Sequence, residues 1–203
     1  MAKLPAGILG RVSGKVGDVV GAAWKGIPYI RQYVIPGNPN TAAQQAERGL
    51  FANIVGLAQA ALGPVIQPFW DPFLRQISGW AQFIGVQRGL VTVVDDFTSV
   101  LITKGTLEGA VISGCAYGTP TVDFIWPTTV LGNGSATDDV GLFVYDRVNK
   151  VGFFDQSQVR SAGAGVVTVG AGRVAANMDA WMFFVDDKAA PTKVSYSDYS
   201  AVV

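Results

Sequence analysis

Apolar and polar positions change their spacing along this chain of 203 residues, and the changes divide it into three stretches. In residues 1–40, β-branched and aromatic side chains gather in two short runs, Val19–Trp24 and Ile27–Ile35, with Lys25-Gly26 between them. Gly recurs at positions 7, 10, 14, 17, 21 and 26, too densely for a helix. The pattern predicts an extended arm that carries a hairpin. Pro36-Gly37-Asn38-Pro39-Asn40 then stops any strand.

Residues 41–90 predict a helical segment. Thr41 can cap a helix, and Gln44 stands three residues on, as a capping box requires. Ala46, Leu50, Phe51, Ile54, Val55, Ala58 and Leu62 follow at three- and four-residue spacing and form one apolar face. Gly63-Pro64 is the expected end of this helix. Beyond it, Trp70, Phe73, Leu74, Ile77 and Trp80 suit a second short helix, and Ser78 suits the cap of a third from Gly79 to Gln87. The uncharged run from Gly49 to Trp70 is long enough to cross a bilayer. Asn53, Gln59, Gln67, Pro64 and Pro68 lie inside it, which favours a buried helix followed by a Pro-punctuated loop.

From residue 91 to 203 the period becomes two. Val91–Val94, Val100–Thr103, Val111–Ser113, Thr121–Trp126, Val140–Tyr145, Val151–Phe154, Val166–Val169, Trp181–Val185 and Lys193–Tyr196 all read as strands. Gly132-Asn133-Gly134-Ser135 and similar clusters separate them. Many short strands at roughly ten-residue spacing predict an antiparallel β-sandwich, Ig-like or jelly-roll-like. The expected class is α+β, mainly β: arm 1–40, helical segment 41–90, sandwich 91–203.

Composition adds a constraint on surface. The chain is 49% hydrophobic and 15% charged, against roughly 25% charged for an ordinary soluble domain. Fifteen basic and fifteen acidic residues cancel. A neutral, apolar chain lacks the repulsion that keeps proteins apart, so the expectation is an assembly subunit. Lys3, Arg11, Lys15, Lys25 and Arg31 are spread singly along the arm. That is no phosphate-binding stripe, and nucleic acid is not an expected partner; nor is a membrane. The N-terminal residues do not read as a secretory leader.

Chemistry finds little to use. The chain has no histidine, which removes the usual general base and the commonest metal ligand. Val166–Val169 followed by Gly170-Ala171-Gly172-Arg173-Val174-Ala175 imitates a dinucleotide-binding turn. The interval before the next strand, Trp181–Val185, is too short for a crossover helix, so a hairpin between antiparallel strands is expected. The pairs Asp95-Asp96, Asp138-Asp139 and Asp186-Asp187 stand at expected strand ends without calcium-loop spacing and read as solvated charge. Ser13 has lysines nearby, Lys15 and Lys25, but no visible pocket. Cys115 is the only cysteine, so no intrachain disulfide forms, and it reads as a buried hydrophobe. No catalytic residue, metal or cofactor, and no small-molecule substrate, is expected.

Trp24, Tyr29, Arg31 and Tyr33 form the arm's densest group. Period two places Tyr29, Arg31 and Tyr33 on one strand face and Ile30, Gln32 and Val34 on the other. Aromatics with Arg are what interface hot spots are made of. Two readings stand side by side: an interface, or a hairpin packed on its own helix and sandwich.

One stretch is familiar. Ser13-Gly14-Lys15-Val16-Gly17, Val20-Gly21-x-x-Trp24-Lys25-Gly26, Tyr29-Ile30-Arg31 and Asn38-Pro39-x-Thr41-x-x-Gln44-x-x-x-Arg48-x-x-Phe51 follow one another between Gly10 and Phe51. This resembles an uncharacterised family of small proteins encoded by bacteria and bacteriophages, with an S-G-K-x-G, W-K-G and T-x-A-Q-x-x-x-R signature. Thr137-Asp138-Asp139-Val140 and Val194-Ser195-Tyr196-Ser197 fit it more loosely. The resemblance adds Arg48 to the candidate interaction residues and implies no activity. It implies a structural protein of a bacteriophage virion, capsid- or tail-associated, made in the host cytoplasm. Its partners would be copies of itself and other virion proteins. The alternative is a bacterial surface or secreted β-sandwich binding module.

Overall fold

The structure is a computed structural model that describes residues 2–3, 13–73, 76–187 and 189–203. Gly7, Gly10, Arg11 and Leu74 lie outside the described residues. The chain forms two compact units, 1–41 and 42–203. It is α+β and mainly β, with antiparallel sheets throughout.

The first unit is built on turns. Strands β2 (Gly14–Val16), β3 (Val19–Trp24) and β4 (Ile27–Gln32) form a meander, and β1 (Ala2–Lys3) pairs with β4 to complete the order β1-β4-β3-β2. The expected hairpin is β3–β4. Lys25 and Gly26 both have positive φ, 47° and 82°. Two successive left-handed residues make the tight turn whose twist matches its flanking strands. The arm thus carries a four-stranded sheet, of which the hairpin is the middle.

The second unit starts with α1 (Ala42–Ala61), which begins directly after Thr41. Gly63-Pro64 does not end the helical path, contrary to expectation. The chain continues through a π turn, Leu62–Ile66, into a short helical turn, α2 (Gln67–Phe69). Pro64 has no N–H to give to the ladder. The wider turn carries the chain past it, and the Gln67 N–H reaches back five residues to the Leu62 carbonyl. After a 3-10 turn at Asp71–Phe73, α3 (Gly79–Leu90) begins where expected. The Ser78 hydroxyl accepts from the Ala81 N–H at 3.3 Å, as an N-cap does.

Seven strands follow among the described residues: β5 (Gly114–Gly118), β6 (Thr121–Ile125), β7 (Asp139–Asp146), β8 (Val151–Val159), β9 (Ala164–Thr168), β10 (Met178–Val185) and β11 (Asp198–Ala201). They form two sheets, β5-β6-β9 and β11-β10-β7-β8. First, second and fifth strands lie together, and third and sixth pair at the centre of the other sheet. This is the strand order of an Ig-like sandwich with an extra strand beside the third. The C-terminus closes one side. The Val203 N–H donates to the Cys115 carbonyl at 3.3 Å and its carbonyl accepts from the Tyr117 N–H at 2.8 Å, a parallel step joining the end of β11 to β5.

Burial explains why these strands look uniformly apolar. Val140, Leu142, Val144, Ala180, Met182 and Phe184 face the three-stranded sheet, where Val122, Phe124 and Val167 meet them. The alternate residues Phe143, Tyr145, Trp181, Phe183 and Val185 face the helices, packing with Leu50, Ile54, Leu57, Val65, Phe69 and Phe83. The second unit is therefore three layers: helices, four-stranded sheet, three-stranded sheet. By length and composition alone the helical run Ala42–Phe69 could cross a membrane; here its apolar face forms half of a core.

Five expectations fail here. Val91–Val94, Val100–Thr103 and Val111–Ser113 are not strands. Their segment is buried in part but hydrogen-bonds to side chains. Gln87 donates to the Leu101 carbonyl at 2.6 Å and accepts from its N–H at 3.2 Å. Trp70 and Trp181 donate to the Ile102 and Val100 carbonyls at 2.8 and 3.0 Å, and the Ser197 hydroxyl accepts from the Ile102 N–H at 2.8 Å. Lys193–Tyr196 holds only single bridges, Val194 to Val185 and Ser195 to Leu107; the last strand begins at Asp198. Finally, β9 and β10 are not a hairpin: β9 pairs with β6 and β10 with β7, so Gly170 and Gly172 lie in an arch between sheets.

Gly141 marks the closest packing of the central sheet. A Cβ there would come within 2.3 Å of the Phe183 ring, which lies across it from β10. Gly141→Ala should therefore destabilise the second unit by about 1–3 kcal/mol, read as a lower urea midpoint at unchanged slope.

Candidate functional site

The arm's sheet has two faces, and cross-strand partners share one. Lys15, Val20 and Arg31 lie in one row; Ala22 opposes Tyr29 and Trp24 opposes Ile27 on the same side. Tyr33 extends that face, with the Lys15 ammonium 3.8 Å from its ring centroid, and the Lys25 ammonium lies 4.9 Å from that of Trp24. The structure thus brings Trp24, Tyr29, Arg31 and Tyr33 to one side of one sheet. Arg48 belongs to α1 of the second unit and is exposed there.

This face is open. Trp24 is 64% exposed, Ile27 47% and Tyr33 42%. Tyr29 is half-buried and Arg31 exposed. Among the described residues 13–41 only Gly21 is buried. The face carries two cations, Lys15 and Arg31, and no acidic residue among its described positions. Charge divides in the same way along the chain. Residues 1–41 hold five basic and one acidic residue, net +4; residues 42–203 hold ten basic and fourteen acidic, net −4.

Several ionisable groups elsewhere are locked in pairs. Asp138, expected to be solvated, is buried, because Arg160 is fully buried beside it at 3.2 Å. The Arg160 guanidinium lies 3.9 Å from the Phe184 ring centroid and donates to the Glu108 carbonyl. Arg147 pairs with Asp179 at 3.0 Å, and Tyr199 donates to the same carboxylate at 2.8 Å. Burial pushes the Asp179 carboxyl up, against the pull of Tyr199 and Arg147. Burial also raises the Tyr145 hydroxyl, to about 12. Arg173 pairs with Asp146, which accepts from Asn149 as well. Burial alone would raise Asp146, but these hydrogen bonds outweigh it and hold its carboxyl below the ordinary value. Sequence reasoning singled out neither Arg147, Arg160, Asp179 nor Tyr199. One signal was present: Asp179 interrupts an apolar strand, and a charge there needs a partner.

The remaining chemical candidates stay apart. Among the described residues no group of three His, Cys, Asp or Glu side chains is placed to hold a metal. Asp186 spends its oxygens on its own loop, accepting from the Thr192 hydroxyl and the Thr192 and Lys193 N–H groups. Two shallow grooves share Lys104, Gly105 and Thr106; their other ionisable residues are Tyr196 in one and Lys193 in the other. Cys115 is buried in the sandwich, and burial, helped by nearby Asp123, pushes its thiol up to about 12. No family model, curated protein or solved structure matches the chain.

Two measurements follow from these groups. Cys115 in the native protein at pH 8 should react with an aromatic disulfide reagent more than about 100-fold slower than in the urea-unfolded chain. Asp146 has a lower pKa folded than unfolded, so it adds stability above its ordinary value of 3.8, and that stability is lost as pH falls through the folded value. Asp146→Asn should therefore make unfolding midpoints less sensitive to acidification below pH ~4.

Proposed function

We propose that this chain is a self-assembling structural subunit of a bacteriophage particle, capsid- or tail-associated, joined to its neighbours through the N-terminal sheet. One observation carries the reading: a four-stranded sheet in which Gly21 is the only buried position among the described residues 13–41 presents Trp24, Ile27 and Tyr33 together with Arg31 on one open face. A sheet without a second layer has little to stabilise it. Covering that face with another protein supplies the layer. Aromatic residues and Arg are the side chains that carry most energy in such contacts. The phage context is supported by the signature between Gly10 and Phe51, which falls on this sheet and the start of α1. A surface or secreted binding module is the second reading. The Ig-like strand order favours it only as far as that order serves many binding proteins.

Removing residues 1–36 should abolish assembly, followed by light scattering after size-exclusion chromatography, while circular dichroism of the rest stays native. Assembly that survives the deletion would remove the N-terminal sheet from the joint. Trp24→Ala should weaken association by about 2 kcal/mol or more. Mass spectrometry of purified particles against cell-surface fractions separates the two readings.

A further inference from the structure

The three-stranded sheet of the sandwich has an outer face of its own. Along β5, β6 and β9 the inward residues are Cys115, Val122, Phe124, Gly165 and Val167, and the alternate residues face out. Ala116, Asp123 and Val166 form one outward row, and Gly114, Ile125 and Ala164 the next. Ile125 is 56% exposed and Val166 49%. These two rows are apolar apart from Asp123, while the third outward row, Gly118, Thr121 and Thr168, carries two hydroxyls; flat rings can lie across the first two. Asp123 is the one charged residue in these rows. Its nearest polar neighbour is the Thr121 hydroxyl at 3.2 Å, and it takes part in no ion pair among the described residues.

The N-terminal face is complementary in both respects, with large rings and two cations. It cannot comfortably meet a second face like itself, since Lys15 and Arg31 would oppose Lys15 and Arg31. Opposite net charges, +4 and −4 for the two units, also favour joining unlike surfaces. Resting on the assembly reading above, we infer that the N-terminal sheet of one copy docks onto the outer face of β5-β6-β9 of the next copy, with Arg31 and Lys15 set against Asp123. Such a contact is head-to-tail. Every copy both gives a sheet and receives one, so the assembly closes as a ring or runs on as a filament.

Charge exchange in the full-length chain tests this, read by sedimentation over a range of concentrations with circular dichroism as the folding control. Asp123→Lys and Arg31→Glu should each weaken association at least about 10-fold. The isosteric Asp123→Asn, which leaves the sheet undisturbed, should weaken it about 3-fold. Mixing the two charge-reversed proteins should restore long assemblies, because each sheet then finds a face of opposite sign. The double variant Arg31→Glu/Asp123→Lys should assemble alone. Asp123→Lys and Asp123→Asn that both assemble like the parent would overturn the docking, as would a mixture of the two charge-reversed proteins that does not assemble. If the 1–36 deletion still abolishes assembly in that case, the arm remains the joint and only its receiving surface is wrong. A parent protein that is monomeric at every concentration sinks both.

Discussion

The central sheet of the second unit has no solvent side, and most of the structure answers to that. β7 and β10 place successive residues in two different cores, Leu142 and Val144 toward one, Phe143 and Tyr145 toward the other. An antiparallel sheet usually keeps one wet face. Here the second face needs its own cover, and α1, α2 and α3 provide it. The apolar stripe of α1 must then run beyond Gly63-Pro64 to bring Val65, Ile66 and Phe69 onto Phe183. The π turn is what lets it do so. The glycines opposite the rings follow from the same closeness: Gly141 lies under Phe183, and Gly152 under Phe143.

Covering both faces leaves polar groups in difficulty at the layer boundaries, and side chains settle them. The path from Val91 to Ser113 runs where a ladder partner is lacking. Indole, amide and hydroxyl groups from Trp70, Gln87, Trp181 and Ser197 take its backbone atoms instead. Three Arg–Asp pairs hold the ends of the sheets in the same manner. Pairing of this kind contributes less net stability than its Coulomb energy suggests, because both charges leave water. Breaking one partner strands the other, so the pairs act chiefly to hold one arrangement of loops.

Element type was legible from the sequence wherever an apolar run coincided with a capped helix or a paired strand. The α1 face, the Ser78 cap, the β3–β4 turn and the strands from Thr121 to Val185 could be read from spacing. Where an apolar run reported burial without pairing, at Val100–Thr103, it imitated a strand, because hydrophobic period cannot tell which groups satisfy the backbone; at Val91–Val94 only Val91 is buried. β11 was misplaced because Val194 is buried, while Asp198 and Tyr199 look like surface residues until Tyr199 is seen bonded to Asp179. For the arm, period two grouped Tyr29, Arg31 and Tyr33. Trp24 joined them only through the register of β3 on β4, which a turn at Lys25-Gly26 sets and composition does not. Asp123 and its row escaped notice because an alternating strand with small outward residues carries no chemical motif.

The net charge of zero changes meaning in this light. As a property of the whole chain it suggests low mutual repulsion and little else. Divided at Thr41 it is a cationic unit with one buried residue among its described positions 13–41 and an anionic unit with two cores. The second has two cores of its own; the first presents Trp24, Ile27 and Tyr33 exposed on one face. In the proposed assembly the two cores lie in one unit and the exposed Trp24 and Tyr33 in the other, so assembly is gained or lost without unfolding the body. Separation of charge gives that exchange a direction, since like units repel and unlike units attract. In the proposed docking the neutral total is the sum over two units of opposite sign, and salt would act on that contact far more than on the fold.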